Sequence, residues 1–268
     1  MSTLTVTLVQ AKLFWEDKAV NLLQLEQKIA DIHKKTEVVI LPEMFSTGFS
    51  MNPAKLAEGM DGPTLKWMQE MALRYKIILT GSIIASETVD NSPRYYNRLI
   101  WMLPNGKYGY YDKRHLFAFA GEDAQYTAGS KRLVASAKGW RLNLQVCYDL
   151  RFPVWARQQP EDDAAFEYDI LVYVANWPES RSTAWKTLLQ ARAIENQCYV
   201  IGVNRVGEDG NGVCHSGDSM VVSPLGEILY TQKDAEDVHT ITLQKAELEA
   251  VRSRFPFWKD ADGFAIER

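Results

Sequence analysis

In LQVCYDLRFP (144–153) an alternating apolar–polar run reaches a cysteine and turns at once into a polar, cationic, proline-terminated segment. Extended upstream, WRLNLQVC (140–147) keeps the period of two that marks a strand. A cysteine at a strand end is either a small apolar core residue or a thiol presented for chemistry. In open α/β sheets, ligand sites gather beyond the carboxyl ends of the strands. The reading of Cys147 therefore depends on what lies at the other strand ends.

Outward from this stretch, short apolar runs alternate with amphipathic ones. LTVTLVQ (4–10), EVVILPE (37–43), IILTGSIIA (77–85), DILVYVANW (169–177), CYVIGVNRV (198–206) and VHTITL (238–243) read as strands, several of them apolar on both faces. RYYNRLIWML (94–103) and YGYYDK, separated by Pro-Asn-Gly-Lys, form a hairpin signal, as do the two halves of GDSMVVSPLGEILYT. Asp17 is placed to cap a helix whose face carries Val20, Leu23, Ile29 and Ile32. Asp61-Gly62-Pro63-Thr64 opens a second helix with Leu65, Met68, Ala72 and Tyr75 on one side. RSTAWKTLLQARAIEN (181–196) is the clearest helical period, and QKAELEAVRSRF is a last helix. This order indicates one α/β domain over 1–268, with a mixed sheet or two packed sheets and helices outside. The aromatic tail 255–268 is expected to pack on its own chain or on a partner.

Composition narrows the function classes. In 268 residues, 46% are hydrophobic and 24% charged, ordinary proportions for a globular protein. A net charge of −4 argues against a nucleic-acid partner, and no apolar run approaches the roughly 20 residues of a membrane span. MSTLTVTLVQ lacks the basic and apolar regions of a signal peptide, and Cys147, Cys198 and Cys214 form no disulfide framework. Both observations lead to an expectation of a reducing, cytoplasmic setting.

Three reactive side chains follow strand-like runs: Glu43 after VVILP, Lys113 in YGYYDK and Cys147. Carboxylate, ammonium and thiol together supply a base, a cation that favours thiolate and holds an oxyanion, and a nucleophile. That is a kit for acyl transfer without histidine. Each residue alone reads more simply as a core cysteine, a surface or cap glutamate, and a lysine in the solvated loop Asp112-Lys113-Arg114-His115. A Cys–His pair from His115 or His215 with Cys147 or Cys214 has no protease context. CxxC and HExxH are absent, so neither metal nor cofactor is expected. GEDGNG reads as a turn between strands.

At these residues the sequence resembles the nitrilase superfamily of carbon–nitrogen hydrolases. LPEMFSTGF (41–49), YYDKRHLF (110–117), VCYDLRFP (146–153), residues 175–207 and GDSMVVSPLGE (217–227) carry the resemblance, which covers nearly the whole chain. It implies a four-layer α-β-β-α sandwich that pairs sheet to sheet as a homodimer. It also implies Glu43 as general base, Lys113 as oxyanion stabiliser, Cys147 as nucleophile and Glu122 as a second glutamate near the site. In this reading the backbone N–H of Tyr148 joins Lys113 on the oxyanion. Within the superfamily the sequence is most similar to bacterial omega-amidases, which hydrolyse 2-oxoglutaramate and 2-oxosuccinamate. Another small amide (deaminated glutathione among them), a nitrile, or a scaffold without chemistry are the alternatives.

A 2-oxo acid amide carries a carboxylate at the end remote from the amide, which calls for a guanidinium. Arg181, between a strand and a helix N-terminus, is the expected clamp or else only the start of that helix, and Trp177 is an expected apolar wall. Asp149 and Arg151 are expected to brace the cysteine turn as an ion pair, with Arg114 and His115 also structural.

Overall fold

The computed structural model describes residues 2–158 and 166–266. Two sheets lie face to face between layers of helix. The first has the order β13 (Asp237–Gln244), β1 (Thr3–Gln10), β2 (Val38–Ile40), β3 (Ile78–Val89), β4 (Ser92–Met102) and β5 (Tyr108–Asp112). The second runs β10 (Val206–Glu208), β11 (Cys214–Val222), β9 (Tyr199–Val203), β8 (Ile170–Val174), β7 (Trp140–Val146) and β6 (Leu133–Ala137), and β12 (Ile228–Lys233) pairs with β11. β1, β2 and β3 are parallel, as are β7, β8 and β9. Hairpins and the return strand β13 add the antiparallel edges. The helices are α1 (Lys18–Ala30), α2 (Pro53–Leu56), α3 (Pro63–Tyr75), α4 (Glu122–Gln125), α5 (Pro153–Ala156), α6 (Ser182–Asn196) and α7 (Lys245–Arg254).

Strand alternation assigns side chains to layers. Leu4, Val6 and Leu8 of β1 and Val38 and Ile40 of β2 join Leu142, Leu144 and Val146 of β7 in the core between the sheets. Val9 and Val39 point the other way, into a second core with Leu25 and Ile29 of α1 and Leu65, Met68 and Ala72 of α3. Helix α6 covers the second sheet with Trp185, Leu189 and Ala193. Its approach requires Gly202 on β9, where a Cβ would stand 2.5 Å from Leu189 Cδ1 and 2.7 Å from the Trp185 ring. The α-β-β-α sandwich implied by the sequence is thus observed.

Several local expectations shift. Asp17 caps α1, its carboxylate accepting from Val20 N–H at 3.1 Å. The buried stripe of α1, however, is Asn21, Leu25 and Ile29, while Leu23 is exposed. Asn21 displaces an apolar residue because its side chain ties the helix to Phe14 and Ser46. The turn that joins β3 to β4 has no glycine: Asp90 and Asn91 both adopt left-handed φ, +51° and +59°, the backbone of a tight primed turn. In the tail, Trp258 stands edge-on to Phe166 at 5.4 Å while Phe257 is exposed; Glu267 and Arg268 lie outside the described residues. Among the described residues no helix is long and apolar enough to cross a membrane.

Candidate active site

β2, β5 and β7 deliver their next residues to one place between the sheets. Glu43 lies just past β2, Lys113 directly after β5 and Cys147 directly after β7. Their meeting is recorded in hydrogen bonds rather than in sequence distance. Lys113 Nζ donates to Glu43 Oε1 at 3.0 Å and to Glu122 Oε1 and Oε2 at 3.0 and 2.8 Å. Asn97 of β4 donates its amide to Glu43 Oε1 at 2.8 Å and to Glu122 Oε1 at 3.1 Å. Asn176, just past β8, donates its backbone N–H to Glu43 Oε2 at 2.8 Å and its amide to the Glu43 carbonyl at 2.6 Å. Phe117 N–H donates to Glu122 Oε2 at 2.6 Å. Every carboxylate oxygen of the pair therefore has a donor, as buried charge requires.

The nucleophile candidate sits on a bent backbone. Cys147 has φ +45°, a conformation that non-glycine residues adopt only when their surroundings impose it. A tight 3₁₀ turn, Cys147–Arg151, follows β7 at this point. Buried Asp149 holds the turn: Oδ2 accepts from Val146 N–H at 3.0 Å and Tyr111 O–H at 2.8 Å, and Oδ1 accepts from His115 N–H at 3.0 Å and meets His115 Nδ1 at 2.8 Å. The expected Asp149–Arg151 ion pair is absent. Asp149 is enclosed by the hydroxyl, imidazole and amides of its neighbours, and Arg151 points outward to lie over the Trp177 ring at 5.0 Å.

The electrostatics also differ from a simple thiolate–lysine pair. Burial, then the Glu43 carboxylate, pushes the Cys147 thiol well above its ordinary value; Lys113 and the Asn176 N–H pull it back only in part. At rest the sulfur carries its proton beside a carboxylate. Burial opposes the charge on Lys113, but the carboxylates of Glu122 and then Glu43 outweigh it and hold the ammonium above its ordinary range. Glu122 is raised, chiefly by burial and by Glu43, against the pull of Lys113.

Cys147 and Lys113 form the floor of a cavity of about 390 Å³. Phe49, Phe117, Tyr148 and Trp177 wall it, and Arg151 and Arg181 stand toward its mouth. Both expected selectivity residues thus face the cavity. Trp177 is buried, with its indole N–H on the Arg181 carbonyl at 2.8 Å, and the Arg181 guanidinium lies over the Phe117 ring at 5.3 Å. His215, from the β10–β11 hairpin, also lines the cavity; burial, with the Arg205 charge adding to it, lowers its imidazole to about 4. Sequence reasoning missed Asn97, Asn176 and the outward turn of Arg151. The one local signal was a lone asparagine inside the apolar strand RYYNRLIWML.

Comparison with known proteins agrees with this geometry. The family model for carbon–nitrogen hydrolases matches residues 5–253. The chain is 43% identical to the omega-amidase YafV of Yersinia enterocolitica and 42% identical to that of Escherichia coli strain K12, in each case over 99% of this chain and 100% of the relative. A crystal structure of a CN-hydrolase superfamily protein from Xanthomonas campestris, with an arsenic adduct in its active site, superposes with a TM-score of 0.95 at 43% identity over the whole of both chains. With a matching family model over nearly its full length and full-length relatives at this identity, the chain belongs to the carbon–nitrogen hydrolase family.

Proposed function

We propose that the protein is an omega-amidase that hydrolyses the terminal amide of 2-oxoglutaramate or 2-oxosuccinamate to the 2-oxo dicarboxylic acid and ammonia. The observation that carries the reading is the joint placement of a buried thiol and an ammonium on a cavity that a guanidinium also lines, with the Glu43 carboxylate bonded to that ammonium behind it. The full-length similarity to omega-amidases supports the same substrate class.

The chemistry follows from the contacts. Glu43 takes the proton of the Cys147 thiol as sulfur attacks the amide carbonyl carbon. Keeping that proton on sulfur until attack avoids a buried unpaired thiolate in the empty site. The carbonyl oxygen becomes an oxyanion held by Lys113 Nζ and the Tyr148 N–H, a fixed positive pair in a water-poor site. The tetrahedral intermediate collapses with cleavage of the carbon–nitrogen bond, and Glu43 returns the proton to the departing ammonia, leaving a thioester. Water then attacks the thioester carbon, Glu43 takes its proton, and the carbon–sulfur bond breaks to release the acid and restore the thiol. Glu122 touches Lys113 and Asn97 rather than the sulfur, so it serves as a positioning residue that keeps Lys113 charged and aimed.

Arg181 binds the remote carboxylate and Trp177 forms the wall beside it. The working form is a cytoplasmic homodimer. The outer faces of the first and second sheets carry α1 with α3 and α6 respectively, which favours a contact made through these helices. Ile194 of α6 and Leu225, exposed near one another across the Gln190–Gly226 hydrogen bond, mark that surface.

Ammonia release over a panel of 2-oxo acid amides, plain amides and nitriles tests the assignment. The 2-oxo acid amides are turned over with the highest kcat/KM, and Arg181→Ala raises KM for them tenfold or more. Preference for a neutral amide or a nitrile refutes it. Light scattering at micromolar concentration gives twice the chain mass, and a monomer refutes the dimer.

A further inference from the structure

We infer that Trp15 and Arg205 are positioning residues that set one wall of the cavity and, through it, the size of amide the site admits; the inference rests on the omega-amidase reading and deepens it. The wall is the hairpin between β10 and β11, from which Asp209, Asn211, Val213 and His215 line the cavity. The hairpin fixes its own shape. Asp209 N–H donates to the Val213 carbonyl at 3.0 Å, and Asp209 Oδ1 accepts from Asn211 and Val213 N–H at 2.8 and 3.0 Å. Its place at the cavity is fixed from outside, by the segment that leaves β1. Ala11, Leu13 and Trp15, alternate residues of that segment, each hold one part of it. Val206 N–H donates to the Ala11 carbonyl at 3.1 Å. Arg205 Nη2 donates to the Leu13 carbonyl at 3.3 Å and to the Val206 and Glu208 carbonyls, both at 3.1 Å. Gly210 lies on Trp15, where a Cβ would stand 2.3 Å from the indole Cδ1.

Two further contacts tie this arrangement to the cavity. Trp15 also touches a second lining segment: a Cβ at Gly48, the neighbour of the cavity residue Phe49, would stand 3.2 Å from Trp15 Cε3. One rigid indole therefore spaces the Phe49 segment from the hairpin, and at Gly210 it leaves no room for a methyl group. Arg205 is fully buried with no carboxylate partner among the described residues, and burial lowers its guanidinium to about 10, so it stays charged at neutral pH. A buried cation without a paired carboxylate is costly, and the acceptors that offset the cost are backbone carbonyls of the wall and of the segment behind it. Moving the hairpin would strand that charge, so the wall has one position. Neither Trp15 nor Arg205 itself lines the cavity. Both act through the hairpin on fit, and not on the thiol or its base.

Gly210 is exposed, so Gly210→Ala unseats the hairpin from the indole without altering the core. In this variant KM for 2-oxoglutaramate rises about tenfold while kcat stays within about twofold, as a misplaced binding wall requires. Trp15→Leu removes the ring and lets the wall retreat, so KM rises again and hexanamide gains kcat/KM relative to butyramide. With the ring gone, the added methyl group meets nothing, and the double variant matches Trp15→Leu within about twofold. Arg205→Lys, which keeps the charge but cannot span three carbonyls, shares the KM rise. Additive losses in the double variant, a fall in kcat with KM unchanged, or a lowered Tm with both constants unchanged overturn the inference. Size-graded alkylation of Cys147, read by peptide mass spectrometry, separates this failure from that of the parent reading. In Trp15→Leu the ratio of N-phenylmaleimide to iodoacetamide labelling at Cys147 rises severalfold over the wild type. If the wild-type protein hydrolyses no 2-oxo acid amide, the omega-amidase reading fails, and the raised ratio still upholds the wall. A ratio unchanged by the substitution overturns it.

Discussion

The floor and the mouth of the cavity are built on opposite rules. At and behind the floor, Lys113 and the carboxylates of Glu43 and Glu122 are essentially without solvent contact, and every carboxylate oxygen has a donor. At the mouth, Arg151 and Arg181 lie against aromatic rings with no carboxylate partner among the described residues. A closed network cannot reorganise without stranding a buried charge, so it presents one fixed arrangement to any amide. In the proposed reading, open cations wait for charge that the ligand brings, and so decide which amide stays. The proposed function thereby divides chemistry and selection between different ends of one cavity.

Substitutions at the floor give the largest effects and sharpen this contrast. Glu43→Gln removes the proton acceptor while keeping the shape of the side chain, and Cys147→Ala removes the attacking atom. Both are expected to lower kcat on the order of ten-thousandfold on charged and neutral amides alike, measured by single-turnover ammonia release. Substrate-dependent losses here would break the division between floor and mouth. Lys113→Met leaves two buried carboxyls facing each other, and the loss of one partner from a buried ion pair costs about 3–5 kcal/mol of stability. Urea denaturation of Lys113→Met and of Glu122→Gln orders the two: the lysine substitution is the more damaging, since Glu122→Gln still offers Lys113 a carbonyl oxygen.

The strand-end residues Glu43, Lys113 and Cys147, with Trp177 and Arg181 on the cavity wall, were legible in the sequence, and the partners that hold them were not, for a physical reason. Glu43, Lys113 and Cys147 each follow a strand, and strand ends are visible as the point where an apolar run stops. Glu122 opens the short helix α4, which no strand end marks, and only resemblance pointed to it. Asn97 and Asn176 complete the network through one amide and one backbone N–H, whose direction depends on strand register. Arg151 shows the limit of local reasoning. Its spacing from Asp149 invited an ion pair, but the competing donors, Tyr111 and His115, come from β5 and the loop after it, far away in the chain. The face of α1 was misread for the same cause: Asn21 is buried for hydrogen bonds made outside the helix.

His215 on the cavity wall gives a smaller, pH-dependent effect. The unfolded chain titrates histidine near 6.5, and the folded imidazole is lowered to about 4. Between those values the folded state binds fewer protons, so stability is full above about pH 6.5 and falls as pH drops toward 4, by up to about 3 kcal/mol. Urea midpoints at pH 7 and pH 4.5 should therefore differ less in His215→Asn than in the wild type. An equal difference in both proteins would place the acid sensitivity elsewhere.

The finest distinction is between a resting thiol and a resting thiolate at the floor. Cys214 is exposed, whereas Cys147 is buried beside the Glu43 carboxylate, which together with burial holds the proton on sulfur. Only the thiolate is alkylated, so a thiol pushed well above its ordinary value reacts slowly at neutral pH. Iodoacetamide at pH 7 is expected to label Cys214 first, with Cys147 at least about tenfold slower and its rate climbing about tenfold per pH unit. In Glu43→Gln the second contributor to that upward push is gone while Lys113 remains, so Cys147 labelling at pH 7 accelerates even though turnover is lost. Faster labelling of Cys147 than of Cys214 in the wild type would mean that Lys113 prevails over Glu43, and that the floor stores a thiolate instead of forming one when substrate arrives.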